Sequence, residues 1–148
     1  MNKLLLALAL TLSVSAIAHD EGHGPKLTDG PKNGGVLSPV VKESESKLGA
    51  KAAVVYKAEL VRAEDGTATL YLYDSAMNPL PLAAFKKEAK GILSYKKSKR
   101  WKNEKFSLEL AGETFKGKAP TSPSKPFNID VILNDGKDSL LVAFDNLD

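Results

Sequence analysis

The chain has no cysteine, two histidines and one tryptophan among 148 residues. Without cysteine there is no disulfide, no thiolate metal ligand, no thiol nucleophile and no lipid-bearing residue at a cleavage site. A hydrolytic triad needs a base that a nucleophile can reach, and no histidine follows residue 23. Gly-rich phosphate loops, HExxH and GxSxG are absent as well. Lys32-Asn33-Gly34-Gly35 is a turn, not a nucleotide motif. Acidic pairs such as Glu64-Asp65 and Asp135 with Asp138 lie in turn sequences, where charge is simply solvated. The expectation is a protein that binds rather than an enzyme.

Long apolar runs are also scarce. The only one, Leu4 to Ser15, follows the charged start Met1-Asn2-Lys3 and precedes Ala16-Ile17-Ala18. That order predicts a signal peptide over 1–18, a periplasmic destination and a mature chain beginning at His19. No later stretch approaches the roughly 20 apolar residues that cross a bilayer, so a soluble, non-spanning protein is expected. About 130 residues then remain of the 148, enough for one domain on a single core.

The formal charge is only +3, which excludes nucleic acid as the expected partner. Its distribution is less even. Lys96, Lys97, Lys99, Arg100, Lys102 and Lys105 surround Trp101, with Glu104 alone opposing them. Such a run is either the solvated end of a hairpin or a dock for anionic envelope lipid or an acidic protein face.

Residues 19–33 carry Gly22, Gly24, Pro25, Gly30 and Pro31 and few large apolar side chains, which predicts a mobile leader. From 34 to 148 the texture is that of strands. Val36 to Val41 is a first strand, placed at an edge by Pro39. Lys42 to Gly49 reads as a connection or helical turn. Ala53 to Ala63 and Thr67 to Asp74 flank Glu64-Asp65-Gly66, a hairpin signal. Leu82, Phe85 and Ala89 fall at helical spacing, which predicts a short helix. Gly91 to Lys97 and Glu104 to Ala111 form a second hairpin with the basic run at its tip. Thr114 to Ala119 turns Phe115 inward, and Phe127, Ile129, Val131 and Leu133 alternate with polar neighbours.

Seven or eight short strands with no long helix predict an all-β fold. An antiparallel immunoglobulin-like β-sandwich is the first choice and a small β-barrel the alternative. Its core is expected to include Leu70, Leu72, Phe106, Leu108, Ile129 and Val131.

The sharpest chemical candidate is the new N-terminus, His19-Asp20-Glu21-Gly22-His23. The His19 amine and ring, the His23 ring and an oxygen from Asp20 or Glu21 make a nitrogen-rich set suited to copper or another divalent metal. The plainer reading is an incidental chelator in a loose tail. Tyr71, Tyr73, Tyr95 and Trp101 are candidates for an aromatic binding face, or for cross-strand packing.

Several segments together resemble small exported proteins, and N-terminal regions of periplasmic adaptor subunits, associated with heavy-metal efflux systems. They are His23-Gly24-Pro25, Pro31-Lys32-Asn33-Gly34-Gly35-Val36, Thr69-Leu70-Tyr71-Leu72-Tyr73-Asp74, Asn78-Pro79-Leu80 and Phe115-Lys116-Gly117-Lys118-Ala119-Pro120. In that group a histidine often precedes the Gly-Gly pair, where this chain has Asn33, a poorer metal ligand. The resemblance implies a periplasmic efflux component as a partner. Two functional expectations follow: divalent metal handling through the leader, and a non-metal interaction module using the basic hairpin and an aromatic sheet face.

Overall fold

A computed structural model describes residues 24–148. Eight strands form one sheet: β1 Val36–Lys42, β2 Tyr56–Arg62, β3 Thr67–Tyr73, β4 Glu88–Lys97, β5 Arg100–Ala111, β6 Thr114–Lys118, β7 Phe127–Asn134 and β8 Ser139–Leu147. A 3₁₀ segment, Glu43–Lys51, joins β1 to β2 and breaks at Gly49.

The strands close into a barrel in the order β1-β2-β3-β6-β5-β4-β7-β8, every neighbouring pair antiparallel. This corrects the sandwich expectation in favour of the barrel alternative. Both architectures point one face of each strand at a core, so alternation alone cannot separate them. Pairing of β1 with β8, residues about a hundred apart in sequence, joins the first and last strands, which two packed sheets would leave as edges.

Two consequences follow for Pro39. Its strand is flanked on both sides rather than lying at an edge. Its missing N–H faces β8 just where the ladder ends, and the Ser38 hydroxyl donates to the Ala143 carbonyl there at 2.5 Å.

An eight-stranded barrel has an interior that side chains can fill. Here Leu60, Leu70, Leu93, Leu108, Phe115, Ile129, Val131, Leu140 and Phe144 fill it, while the outward positions of β7 hold Asn128, Asp130, Ile132 and Asn134. An apolar interior is the reverse of the polar lumen of a barrel that spans a membrane. No helix among the described residues is long and apolar enough to cross one. Of the expected core residues only Phe106 is half-buried rather than buried.

Because β3 neighbours β6 and β4 neighbours β7, two connections must cross the barrel ends. Residues 74–87 cross one end and lower Leu82 and Phe85 into it. Phe85 meets Tyr56 at 6.0 Å and Phe115 at 6.4 Å between ring centroids. The expected helix over 82–89 is absent. Its spacing instead serves a single turn, closed by Phe85 N–H on the Leu82 carbonyl at 3.0 Å, and β4 has begun by Glu88. Residues 119–126 cross the opposite end, where the tip of the β4–β5 hairpin also lies.

Candidate functional site

The basic hairpin is as the sequence predicts in position and longer in extent. β4 and β5 pair continuously from Glu88↔Glu109 to Lys97↔Arg100, around the turn Ser98-Lys99. Cross-strand partners share a face, so Arg100 and Lys102 lie with Lys97 and Tyr95, on the side from which Leu93 enters the core. Trp101 shares the outer face with Lys96, whose ammonium sits 5.2 Å from the indole centroid. Trp101 is 54% exposed, the highest value among large apolar side chains other than Leu48. Lys96, Lys97, Lys99, Arg100 and Lys102 are all exposed, and none is in an ion pair with a described carboxylate. Glu104 instead accepts the Tyr95 hydroxyl at 2.9 Å.

The aromatic face does not assemble. Tyr95 is buried on the inner side, Trp101 projects on the outer side, and Tyr73 is covered.

What covers Tyr73 is a second feature, centred on a residue that sequence reading passes over. Glu59 points outward from β2, between inward Ala58 and Leu60, yet has no exposed surface. Its carboxylate accepts the backbone N–H groups of Lys32 at 2.9 Å, Asn33 at 2.7 Å and Gly35 at 2.9 Å. Asn33 Nδ2 adds a bond at 3.1 Å and the Tyr73 hydroxyl one at 2.9 Å. Burial pushes the carboxyl up, but the bonds from Gly35, Lys32, Asn33 and Tyr73 outweigh it and hold the group below its ordinary range. Tyr73 is pushed up, by burial first and then by the bond to Glu59 and its charge.

The two glycines of this turn have separate duties. Gly34 takes φ 73, and a Cβ on Gly35 would stand 2.4 Å from the Leu60 carbonyl oxygen. Lys32 closes the cover by donating to the Met77 carbonyl at 2.6 Å. A sequence signal was present: one acidic residue inside the run Ala58-Glu59-Leu60-Val61, with a Gly-Gly turn to receive it.

The leader is therefore joined to the barrel before residue 34. Asp29 also pairs with Lys57, and Gly24 lies against Pro39. Between this segment and the outward side chains of β1 and β8 runs an open groove of about 840 Å³, lined by Pro25, Leu27, Leu37, Pro39, Leu141 and Ala143. The expected metal residues His19, Asp20, Glu21 and His23 lie outside the described residues. Among the described residues, no three His, Cys, Asp or Glu side chains gather into a metal set.

Together these features define a small closed antiparallel barrel with an apolar interior, a latched N-terminal turn and a protruding basic hairpin. No family model, curated protein or solved structure matches the chain.

Proposed function

We propose that the protein is a non-catalytic binding module of the cell envelope that docks on an anionic partner through the end of its β4–β5 hairpin. One observation carries this reading. Lys96, Lys97, Lys99, Arg100 and Lys102 stand exposed around exposed Trp101, with no described carboxylate paired to any of them. A merely solvated hairpin end has no need of an exposed indole, whereas Trp and Arg are enriched in contact surfaces. The acidic face of a periplasmic efflux component is one partner that would fit, and the resemblance noted above is what suggests it.

Poly-L-glutamate is the probe that tests the reading, with binding followed by calorimetry. Affinity should fall steeply from about 0.01 M to about 1 M salt as the screening length shrinks from ~30 Å to ~3 Å. The triple variant K97E/R100E/K102E should fold normally and lose binding. Unchanged affinity in that variant, or none in the wild-type protein, defeats the proposal.

A further inference from the structure

The two arms of the hairpin do not have equal neighbours. β4 is paired on its far side with β7 over Lys90 to Tyr95, whereas β5 is paired with β6 only at Glu109, Leu110 and Ala111. β6 ends at Lys118, and Pro120 has no N–H to extend the ladder. The chain then turns beneath the barrel, and the Ser124 hydroxyl donates to the Lys96 carbonyl at 2.7 Å, on the β4 side. The last close approach of β6 is at Gly117, where a Cβ would stand 2.1 Å from the Ser107 carbonyl oxygen. From Arg100 to Phe106, β5 has β4 as its one strand partner among the described residues.

Register determines which backbone groups are bare. Ser98 and Lys99 have φ 50 and φ 65, the two left-handed residues of a type I′ turn. Lys97↔Arg100 is then a hydrogen-bonded pair, as are Tyr95↔Lys102 and Leu93↔Glu104. At the alternate pairs Lys96↔Trp101, Ser94↔Asn103 and Ile92↔Lys105, the N–H and C=O groups turn away from the partner strand. On β4 they turn toward β7 and Ser124. On β5 the groups of Trp101, Asn103 and Lys105 face solvent.

We propose that this edge takes up an extended acidic segment of a partner protein as an added strand, continuing the line of β6. The inference rests on the anionic docking reading and names its partner. Bare donors and acceptors at every second residue are what strand addition uses. Arg100, Lys102 and Lys105 on the edge, with Lys116 exposed on β6, supply charge complementary to acidic side chains, whereas Lys118 is already paired with Asp65. Trp101 offers one apolar contact. A second copy pairing along the same edge would bring these cations against one another. Lipid head groups could meet the charges but have no array of amides to fill the edge.

The probe is a fluorescent peptide Glu-Thr-Glu-Val-Glu-Thr-Glu-Val, compared with a version N-methylated at alternate residues so that one edge cannot donate. The plain peptide should bind, and the methylated one should bind about tenfold more weakly, the loss of one or two net hydrogen bonds. In amide hydrogen exchange, Trp101, Asn103 and Lys105 should gain protection on binding, while Arg100, Lys102 and Glu104, already bonded to β4, should change little. Asn103→Pro removes an outward N–H and should weaken binding about tenfold, with Asn103→Ala as the control that retains it. If poly-glutamate binds but methylation and exchange show no such pattern, the edge proposal falls and charge-based docking stands. If neither polyanion binds, both fall. Tight binding to phosphatidylglycerol vesicles with none to the peptide would also overturn the edge, as would a concentration-dependent dimer lost in Asn103→Pro.

Discussion

The Tyr73 hydroxyl donates to Glu59 Oε2 at 2.9 Å, and both side chains are buried although both point away from the barrel core. Outward positions of a barrel strand are ordinarily wet. These two are dry because residues 32–35 lie across them and direct three backbone N–H groups at one carboxylate. The carboxylate is the only acceptor there suited to so many donors. It thereby couples the N-terminal segment to β2 and β3.

Replacing Glu59 with Gln should accordingly cost about 2–3 kcal/mol, since an amide NH₂ would face donors and leave buried N–H groups unpaired. Tyr73→Phe should cost about 1 kcal/mol, because Glu59 keeps its backbone partners. Urea unfolding of the two variants checks the order. Equal costs would show that the hydroxyl, not the turn, dominates.

Stability should form a plateau in pH, with Glu59 contributing to its acid end and Tyr73 to its alkaline end. Glu59 has its folded pKa below the ordinary 4.5, so its contribution is complete above about pH 4.5 and is lost as pH falls through the folded value. Tyr73 has its folded pKa above the ordinary 10.0, so the fold is unaffected below pH 10 and weakens as pH rises beyond it. Unfolding midpoints across pH should show both limbs. In Glu59→Gln the acid limb should shrink, and so should the alkaline limb, because the charge that raises Tyr73 is gone.

Gly91 and Phe106 face each other across β4 and β5, and a Cβ on Gly91 would stand 2.3 Å from the ring. Gly91→Ala should therefore cost about 1–3 kcal/mol through overpacking. In a Phe106→Ala background the same change should be nearly neutral, giving a coupling of about 1–3 kcal/mol in a double-mutant cycle. Simple additivity would mean that the ring moves aside freely.

Much of this core is legible in the sequence, and its closure is not. Phe127, Ile129, Val131 and Leu133 alternate with polar residues, so their inward facing follows from the two-residue period of a strand. Glu64-Asp65-Gly66 marks its hairpin for an equally local reason, φ 85 at Gly66. Whether β1 meets β8 depends on strand tilt and on pairing across the whole chain, which no local pattern records. The hairpin cations were likewise legible as a run. The bare edge beside them was not, because it depends on where β6 stops. Pro120, which stops any strand that begins at Thr114, was its one trace in the sequence.

His19 and His23 carry the remaining prediction. If export exposes His19, its α-amine and ring can chelate Cu(II), with His23 adding a second ring and Asp20 or Glu21 an oxygen. Protons compete for those nitrogens, the amine with an ordinary pKa of about 7.7–8.0 and imidazole about 6.5, so affinity should fall steeply between about pH 7 and about pH 5. The described barrel gathers no metal set of its own, so a peptide of residues 19–33 should bind nearly as tightly as the whole protein. Calorimetry of the protein, the peptide and the pair His19→Ala/His23→Ala separates the outcomes. Equal affinity in the double variant would remove the leader from metal handling. A peptide far weaker than the protein would assign the missing ligands to the barrel side, where the covered turn at Asn33 and the groove beside Gly24 lie closest in sequence.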